Sequence, residues 1–235
     1  MSAFTDSHSR TLHNSRRVWG QGPGDRVLTR AAQYDNMVLS HERDAEVFFM
    51  TASTIGHSTH PIEKFIRILM AHGIAKLVDV RTIPKSRHNP QFNIESLAAS
   101  LQAAGIQYHH LPGLGGLRHA RKDSINTGWR NASFRGYADY MQTPEFAENL
   151  RYLTELASQA PTAIMCAESV PWRCHRSLIA DALTVRGIPV LEILSVTKSQ
   201  PHAMTPFAKV EGQRVTYPAP AKASSLDLPL FGQLE

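Results

Sequence analysis

The chain alternates short apolar segments with amphipathic segments of helical length, and this order restricts the folds that it can adopt. Five segments are apolar enough to be buried strands: Val47–Ile55, Ala75–Arg81, Ile106–Leu111, Ala163–Ala167 and Ile188–Leu194. Segments with helical spacing lie between them, bounded by proline and glycine: 61–72, Ile94–Ala104, Phe134–Met141, Pro144–Ser158 and 174–186. The alternation predicts an α/β fold, a single three-layer domain with a mostly parallel, Rossmann-like sheet.

The composition changes at both ends of this domain, which we assign to residues 46–218. Residues 1–45 are rich in Ser, Arg, Gly, Asn and Gln without apolar periodicity, which predicts a mobile N-terminal extension. Residues 219–235 predict a flexible linker rich in Pro, Ala and Ser, followed by an apolar C-terminal peptide. Within the domain, residues 200–218 are predicted to form a flap over the site.

Composition excludes several classes of protein. The sequence has no run of about 18 apolar residues, so no membrane partner is expected. Two cysteines in 235 residues argue against a disulfide scaffold and for a reducing compartment, which we take to be the cytoplasm. The net charge of +5 is compatible with a polyanionic partner. The sequence requires no cofactor, and we predict no metal site.

Four predicted strands end in polar side chains. These are His57 and Ser58 after the first strand, Asp79 and Arg81 at the second, Tyr108 and His109 in the third, and Cys166 and Glu168 at the fourth. Ligands of open parallel sheets bind outside the carboxyl ends of the strands. The sequence therefore predicts one polar pocket at this edge of the sheet.

Most of the reactive and charged side chains of the predicted site lie around the fourth strand. Cys166 and Glu168 end it, and Cys174, His175 and Arg176 open the helix that follows. A helix start offers free N–H groups and a partial positive charge, which suit an anion. A thiol at such a position beside cationic groups is stabilised as a thiolate. The stretch therefore predicts nucleophilic or acid–base chemistry.

Each predicted site residue receives a role from its chemistry. The predicted catalytic residues are Glu168, Cys174, His175 and His109. The predicted anion-binding residues are Arg81, Arg176, Ser58 and His57, because guanidinium groups bind phosphate, sulfate and carboxylate in a bidentate manner. Asp79, Tyr108 and Cys166 complete the predicted site.

Structural roles for the same residues stay open at this point. Cys166 fits a core position, Glu168 and Arg176 fit an ion pair, and Asp79 and Arg81 share a strand face on which they can pair with each other. A zinc site or a redox disulfide at the two cysteines is also compatible with the sequence. A phosphatase-type loop fits less well, because the segment from Cys166 to Arg173 is one residue too long and has no glycine.

The motifs carry a family resemblance. Thr54–Ser58, Asp79–Arg81, Tyr108–Gly116, Phe134–Tyr137, Cys166–Glu168 and Cys174–Arg176 resemble the signature of the domain-of-unknown-function family 488. The resemblance runs from about Thr54 to Pro218 and includes Pro201-His202 and Tyr217-Pro218. It implies an α/β domain with a clustered polar site, and it implies no reaction.

The C-terminal peptide 225–231 is similar to the short motif by which bacterial proteins bind the replication sliding clamp. An extended peptide of this kind places apolar side chains in preformed pockets, here Leu226, Leu228, Leu230 and Phe231. Ser225 stands where the motif usually has glutamine. The alternative is that these side chains pack on their own domain.

These observations favour an enzyme that acts on a phosphate-bearing substrate, a nucleotide or DNA, with a role in DNA repair. A second hypothesis is a non-catalytic nucleic-acid accessory protein, whose basic loop 118–130 with Trp129 contacts the nucleic acid. A third is a thiol or metal redox protein that uses the two cysteines.

Overall fold

A computed structural model describes residues 51–220, and these contain a six-stranded sheet and a small hairpin. The strands are β1 (Ala52–Gly56), β2 (Lys76–Asp79), β3 (Gln107–His110), β4 (Thr162–Cys166), β5 (Val190–Ile193), β6 (Ser199–Pro201), β7 (Lys209–Glu211) and β8 (Arg214–Thr216). The sheet has the order β3-β2-β4-β1-β5-β6. Its first five strands in sequence are parallel, whereas β6 pairs antiparallel with β5, and β7 pairs with β8.

Five α-helices lie between residues 51 and 220: α1 (Ile62–Ala71), α2 (Ile94–Ala103), α3 (Ala132–Tyr140), α4 (Pro144–Gln159) and α5 (Arg176–Thr184). Local sequence sets their ends. Thr143 accepts a hydrogen bond from the Phe146 N–H and precedes Pro144, so it caps α4. Gly73 and Gly105 follow α1 and α2 with positive φ angles, the conformation that ends a helix.

Both faces of the sheet are buried, as alternate residues of β4 show. Ala163 and Met165 pack in one core with α1 and α2, whereas Ile164 packs in the other core with α3, α4 and α5. A continuous apolar strand is typical of a sheet covered on both sides. The prediction of a three-layer α/β fold with a mostly parallel sheet is therefore confirmed.

The strand order creates a crevice at the carboxyl ends of β1 and β4. These strands are neighbours, and their register pairs Gly56 with Cys166. The chain leaves β1 toward β2 on one side and leaves β4 toward β5 on the other. Such a topological switch point is where open α/β sheets bind ligands.

The segment after β5 does not cover this crevice. A buried polar network fixes it to α5 and β5: His202 lies between Asp181 and Glu192, at 2.8 and 2.9 Å, and Tyr217 donates to Asp181 at 2.8 Å. β6 extends the edge of the sheet. The prediction of a flap over the site is therefore wrong, because these side chains pack on the sheet and on α5.

The basic loop also has a structural role that its sequence did not reveal. Trp129 stacks on Phe134 with ring centroids 4.6 Å apart and contacts Phe207 and Tyr217. Arg118 lies over the ring of Tyr140 at 3.5 Å. The side chains of Trp129 and Arg118 are thus used for packing.

The predicted N-terminal extension, most of the predicted linker and the whole predicted C-terminal peptide, with Leu226, Leu228, Leu230 and Phe231, lie outside residues 51–220 and stay predictions. Among the helices that the structure describes, none has the length and apolar character needed to cross a lipid bilayer.

We predict that His202→Gln destabilises the domain by about 3 kcal/mol, because the change removes a cation held between two buried carboxylates. Burial opposes the charge on His202, but the hydrogen bonds to Asp181 and Glu192 outweigh this effect and raise its pKa. The stabilisation is complete below the ordinary pKa of about 6.5 and is lost as pH rises through the folded-state pKa.

Urea unfolding of wild type and His202→Gln at about pH 6 and about pH 9 measures this contribution. The difference in unfolding free energy should be larger at the lower pH. The exposed His119 provides a matched control as His119→Gln. An equal difference for His202→Gln at both pH values would contradict a charged His202.

Candidate functional site

A cleft of about 650 Å³ opens at the carboxyl ends of β1, β2 and β4. Its lining comes from four loops: His57, Ser58 and Thr59 after β1; Arg81, Thr82, Ile83, Lys85, Ser86 and Asn89 after β2; Gly116 and Leu117 after β3; and Cys166, Ala167, Glu168, Ser169 and His175 around the β4–α5 connection. A second cavity of about 320 Å³ shares Cys166, Glu168 and His175 with it. The predicted pocket at the strand ends is thus present.

Cys166 supplies a sulfur atom to this cleft. Its Sγ lies 4.0 Å from the Nδ1 of His175, and the Sγ of Cys174 lies 3.7 Å from the same nitrogen. The hydrogen bond from the Cys174 thiol lowers the pKa of Cys166, and the neighbouring His175 and Arg176 lower it further. Cys174 therefore keeps its proton, and its pKa is raised.

The β4–α5 loop is held by its carbonyl oxygens. The N–H of Ser58 donates to the carbonyl of Ala167 at 2.9 Å. The Nη1 of Arg176 donates to the carbonyl of Glu168 at 2.6 Å, and the guanidinium is fully buried. A Cβ on Gly56 would stand 2.0 Å from that same Glu168 oxygen, so only glycine permits the loop to lie this close to β1.

Arg176 therefore does not face the cleft as the sequence predicted. It lies beneath the loop and contacts main-chain oxygens, so it neither pairs with the carboxylate of Glu168 nor presents a free edge to an anion. The burial of this helix start comes from tertiary packing, which one sequence does not reveal.

Asp79 and Arg81 form a buried ion pair beside the cleft. The Nη2 of Arg81 donates to Asp79 Oδ2 at 2.6 Å, and Tyr108 donates its hydroxyl to the same carboxylate oxygen at 2.8 Å. Arg81 also donates to the carbonyl of Phe92 at 2.8 Å. The alternative reading of these two residues, that they pair with each other, is confirmed, and Arg81 also lines the cleft.

His57 lies beside the Asp79–Arg81 pair and is a neutral imidazole. Its Nδ1–H donates to the Ser58 carbonyl at 2.8 Å, so Nε2 accepts from Nη1 of Arg81 at 3.2 Å. Burial lowers the pKa of His57 to about 4. The ring stacks on Phe92 with centroids 4.1 Å apart, and Ser58 adopts a φ angle of 49°, which is strained for a non-glycine residue.

The structure brings most of the predicted site together. Glu168, Cys166, His175, Arg81, His57 and Ser58 line the cleft, and Cys174 lines the adjoining cavity. Asp79 and Tyr108 support Arg81 from behind. His109 does not join them, because it lines a separate cavity between α2 and β3.

Three features of the cleft are not predicted by the sequence. Lys85 supplies an exposed ammonium group, and Ser86 and Asn89 supply further polar atoms from the β2–α2 loop. Gly116 packs so closely on His175 that a Cβ there would lie 2.5 Å from its Nδ1. The glycine pair after β3 was the signal for this close approach.

Cys166, Cys174 and His175 also form a group that could hold a metal ion. One ligand atom of each lies within 4.8 Å of the other two.

Comparison with known proteins places the chain in a family. The model of a family described as Domain of unknown function DUF488 matches residues 61–183, more than half of the chain, so the chain belongs to that family. The matched range lies within the part of the chain on which the sequence resemblance rests. No curated protein and no solved structure matches the chain.

We predict that the pair Asp79–Arg81 is energetically coupled, since both side chains are at least nine-tenths buried. A double-mutant cycle with Asp79→Ala and Arg81→Ala should give a coupling free energy of about 2 kcal/mol by chemical denaturation. The exposed pair Arg121–Asp123, at 2.8 Å, is the matched control and should show no measurable coupling. If the losses of unfolding free energy in Asp79→Ala and Arg81→Ala simply add in the double variant, the ion pair does not stabilise this side of the cleft.

Proposed function

We propose that this member of the DUF488 family is an enzyme that acts on a phosphate-bearing substrate, a nucleotide or DNA, bound in the cleft beside Cys166. The observation that carries the proposal is the orientation of residues 167–169, whose carbonyl oxygens are turned toward the protein. The positive charges around the cleft and the side chains of Cys166 and Glu168 also support the proposal.

The loop orientation favours an anion. In a trans peptide the C=O and N–H groups point in opposite directions, and residues 51–220 contain no cis bond. Because the carbonyls of Ala167 and Glu168 accept from Ser58 and Arg176, the N–H groups of Glu168 and Ser169 point to the opposite side. Successive N–H groups on one side of a loop form an anion-binding concavity.

The charges around this loop have the sign that a phosphate needs. Lys85 lines the cleft and is exposed, and Arg81 lines it with a guanidinium that Asp79 neutralises in part. The start of α5 adds the partial positive charge of a helix N-terminus. Arg176 has a positioning role in this proposal, because it orders the loop carbonyls.

The proposed reaction uses two groups that line the cleft, Cys166 and Glu168. The Sγ of Cys166 attacks phosphorus and forms an S–P bond, while the P–O bond to the leaving group breaks and Glu168 donates a proton to the leaving oxygen. Water then attacks the phosphorus, Glu168 takes its proton, and the S–P bond breaks to restore the thiolate and release phosphate.

Two finer points extend the proposal. A role in DNA repair rests on the predicted clamp-binding peptide 225–231, and a cytoplasmic location rests on the two reduced cysteines. The accessory-protein hypothesis has less support, because Trp129 packs inside an aromatic cluster.

Phosphate release from p-nitrophenyl phosphate, nucleoside monophosphates and a 5′-phosphorylated oligonucleotide tests the proposal. We expect Cys166→Ser to reduce the rate roughly 100-fold or more, because the nucleophile is lost. Glu168→Gln should slow hydrolysis of poor leaving groups more than that of p-nitrophenyl phosphate, which leaves without a proton.

Ser100→Ala, an exposed change on α2, is the control and should keep the wild-type rate. Acid-quenched wild type should carry a phosphoryl group on the peptide that contains Cys166. A rate that is the same in wild type and Cys166→Ser would contradict the proposed nucleophile.

A further inference from the structure

We infer that Cys166, Cys174 and His175 form a zinc site that blocks the proposed nucleophile reversibly. The ligand atoms are already assembled: both Sγ atoms lie within 4.0 Å of the Nδ1 of His175, and all three atoms lie within 4.8 Å of one another. The inhibitory effect rests on the proposed function, whereas the binding of zinc does not.

The spacing matches tetrahedral zinc. Bond lengths of about 2.3 Å to sulfur and about 2.0 Å to nitrogen place neighbouring ligand atoms roughly 3.5–3.8 Å apart. The observed distances from His175 Nδ1, 3.7 Å to Cys174 and 4.0 Å to Cys166, need only a small contraction, and the two sulfur atoms, within 4.8 Å of each other, approach by at most about 1 Å. Metal binding displaces the proton of Cys174 into solvent. The resulting two thiolates and one imidazole are ligands that select zinc over magnesium or calcium.

The fold holds these ligands firmly. Cys166 ends the central strand β4, and Cys174 is fixed by the hydrogen bond from its N–H to the Pro171 carbonyl at 3.0 Å. The ring of His175 packs against Tyr137, with centroids 5.0 Å apart, and against the backbone of Gly116. A rigid donor set binds metal with little ordering cost.

The fourth coordination position has access to ligand. Cys166 and His175 line both the cleft and the adjoining cavity, so water or a phosphate oxygen can reach an ion held between them. Three protein ligands with one open position are the arrangement of reactive rather than closed structural zinc sites. In the zinc-bound form the Cys166 thiolate donates a lone pair to the metal, which lowers its charge and its nucleophilicity, and the ion occupies the space that a substrate phosphorus would need.

Titration of the reduced full-length chain with Co²⁺ tests the site independently of any activity. The chain has only two cysteines, so absorption from sulfur-to-cobalt charge transfer can come only from Cys166 and Cys174. We expect this absorption together with the visible bands of tetrahedral cobalt, one Co²⁺ per chain, and loss of both signals when Zn²⁺ displaces the cobalt.

Cys174→Ser and His175→Ala should each weaken Co²⁺ binding by more than ~100-fold. His119→Ala changes an exposed histidine outside the site and is the matched control, which should bind as wild type does. Far-UV circular dichroism and urea unfolding of each variant show that it is folded. Absence of the charge-transfer band in folded, reduced wild type would overturn the site, as would a band unchanged in both variants.

The rate of phosphate release tests the inhibitory role of zinc separately. Zn²⁺ should abolish phosphate release by wild type, and a chelator should restore it. A cobalt band in a chain without phosphatase activity would leave the zinc site standing and defeat the proposed function. Full activity in the zinc-loaded chain would overturn the inhibitory role alone.

Discussion

The site depends on the burial of Arg176. A cation buried away from water needs hydrogen-bond acceptors, and here the carbonyls of Glu168 and Ser169 accept from its two terminal nitrogens, whereas its Nε has no partner among the described residues. This requirement draws the β4–α5 loop inward, against Gly56 and the exit of β1. In the proposed anion site, the N–H groups of the loop then point away from Arg176. Arg176 has a positioning role in that proposal, because it contacts the loop and not the ligand.

Much of the fold follows from the sequence, because apolar strands and amphipathic helices are both recognised from local sequence patterns. The run Ala163–Met165 is apolar at every position, and the structure shows why: alternate side chains enter cores on opposite faces of the sheet. The placement of the polar strand ends at one edge of the sheet is also predictable, since it needs only that the strands be parallel. Asp79 and Arg81 pair because they share a face of β2 and its exit.

Which strand ends and loops form the cleft could not be predicted, since this depends on the order of the strands in the sheet. β4 lies between β2 and β1, so the ends of these three strands meet, and β3 lies at the edge. His109 therefore faces α2 instead of the cleft. The contributions of Lys85 and Gly116 arise from loops whose paths are set by tertiary contacts. One sulfur atom, that of Cys166, links both proposals, because attack on phosphorus and binding of zinc are mutually exclusive uses of it.

Alkylation of Cys166 by iodoacetamide, located by peptide mass spectrometry with and without inorganic phosphate, tests the central claim most directly. We expect Cys166 to react faster than Cys174, which is buried and has a raised pKa, and we expect saturating phosphate to protect Cys166. Protection should be lost in Arg176→Met, where the loop carbonyls lose their donor. Slow alkylation of Cys166, or a rate that phosphate does not change, would contradict an anion site built around this sulfur.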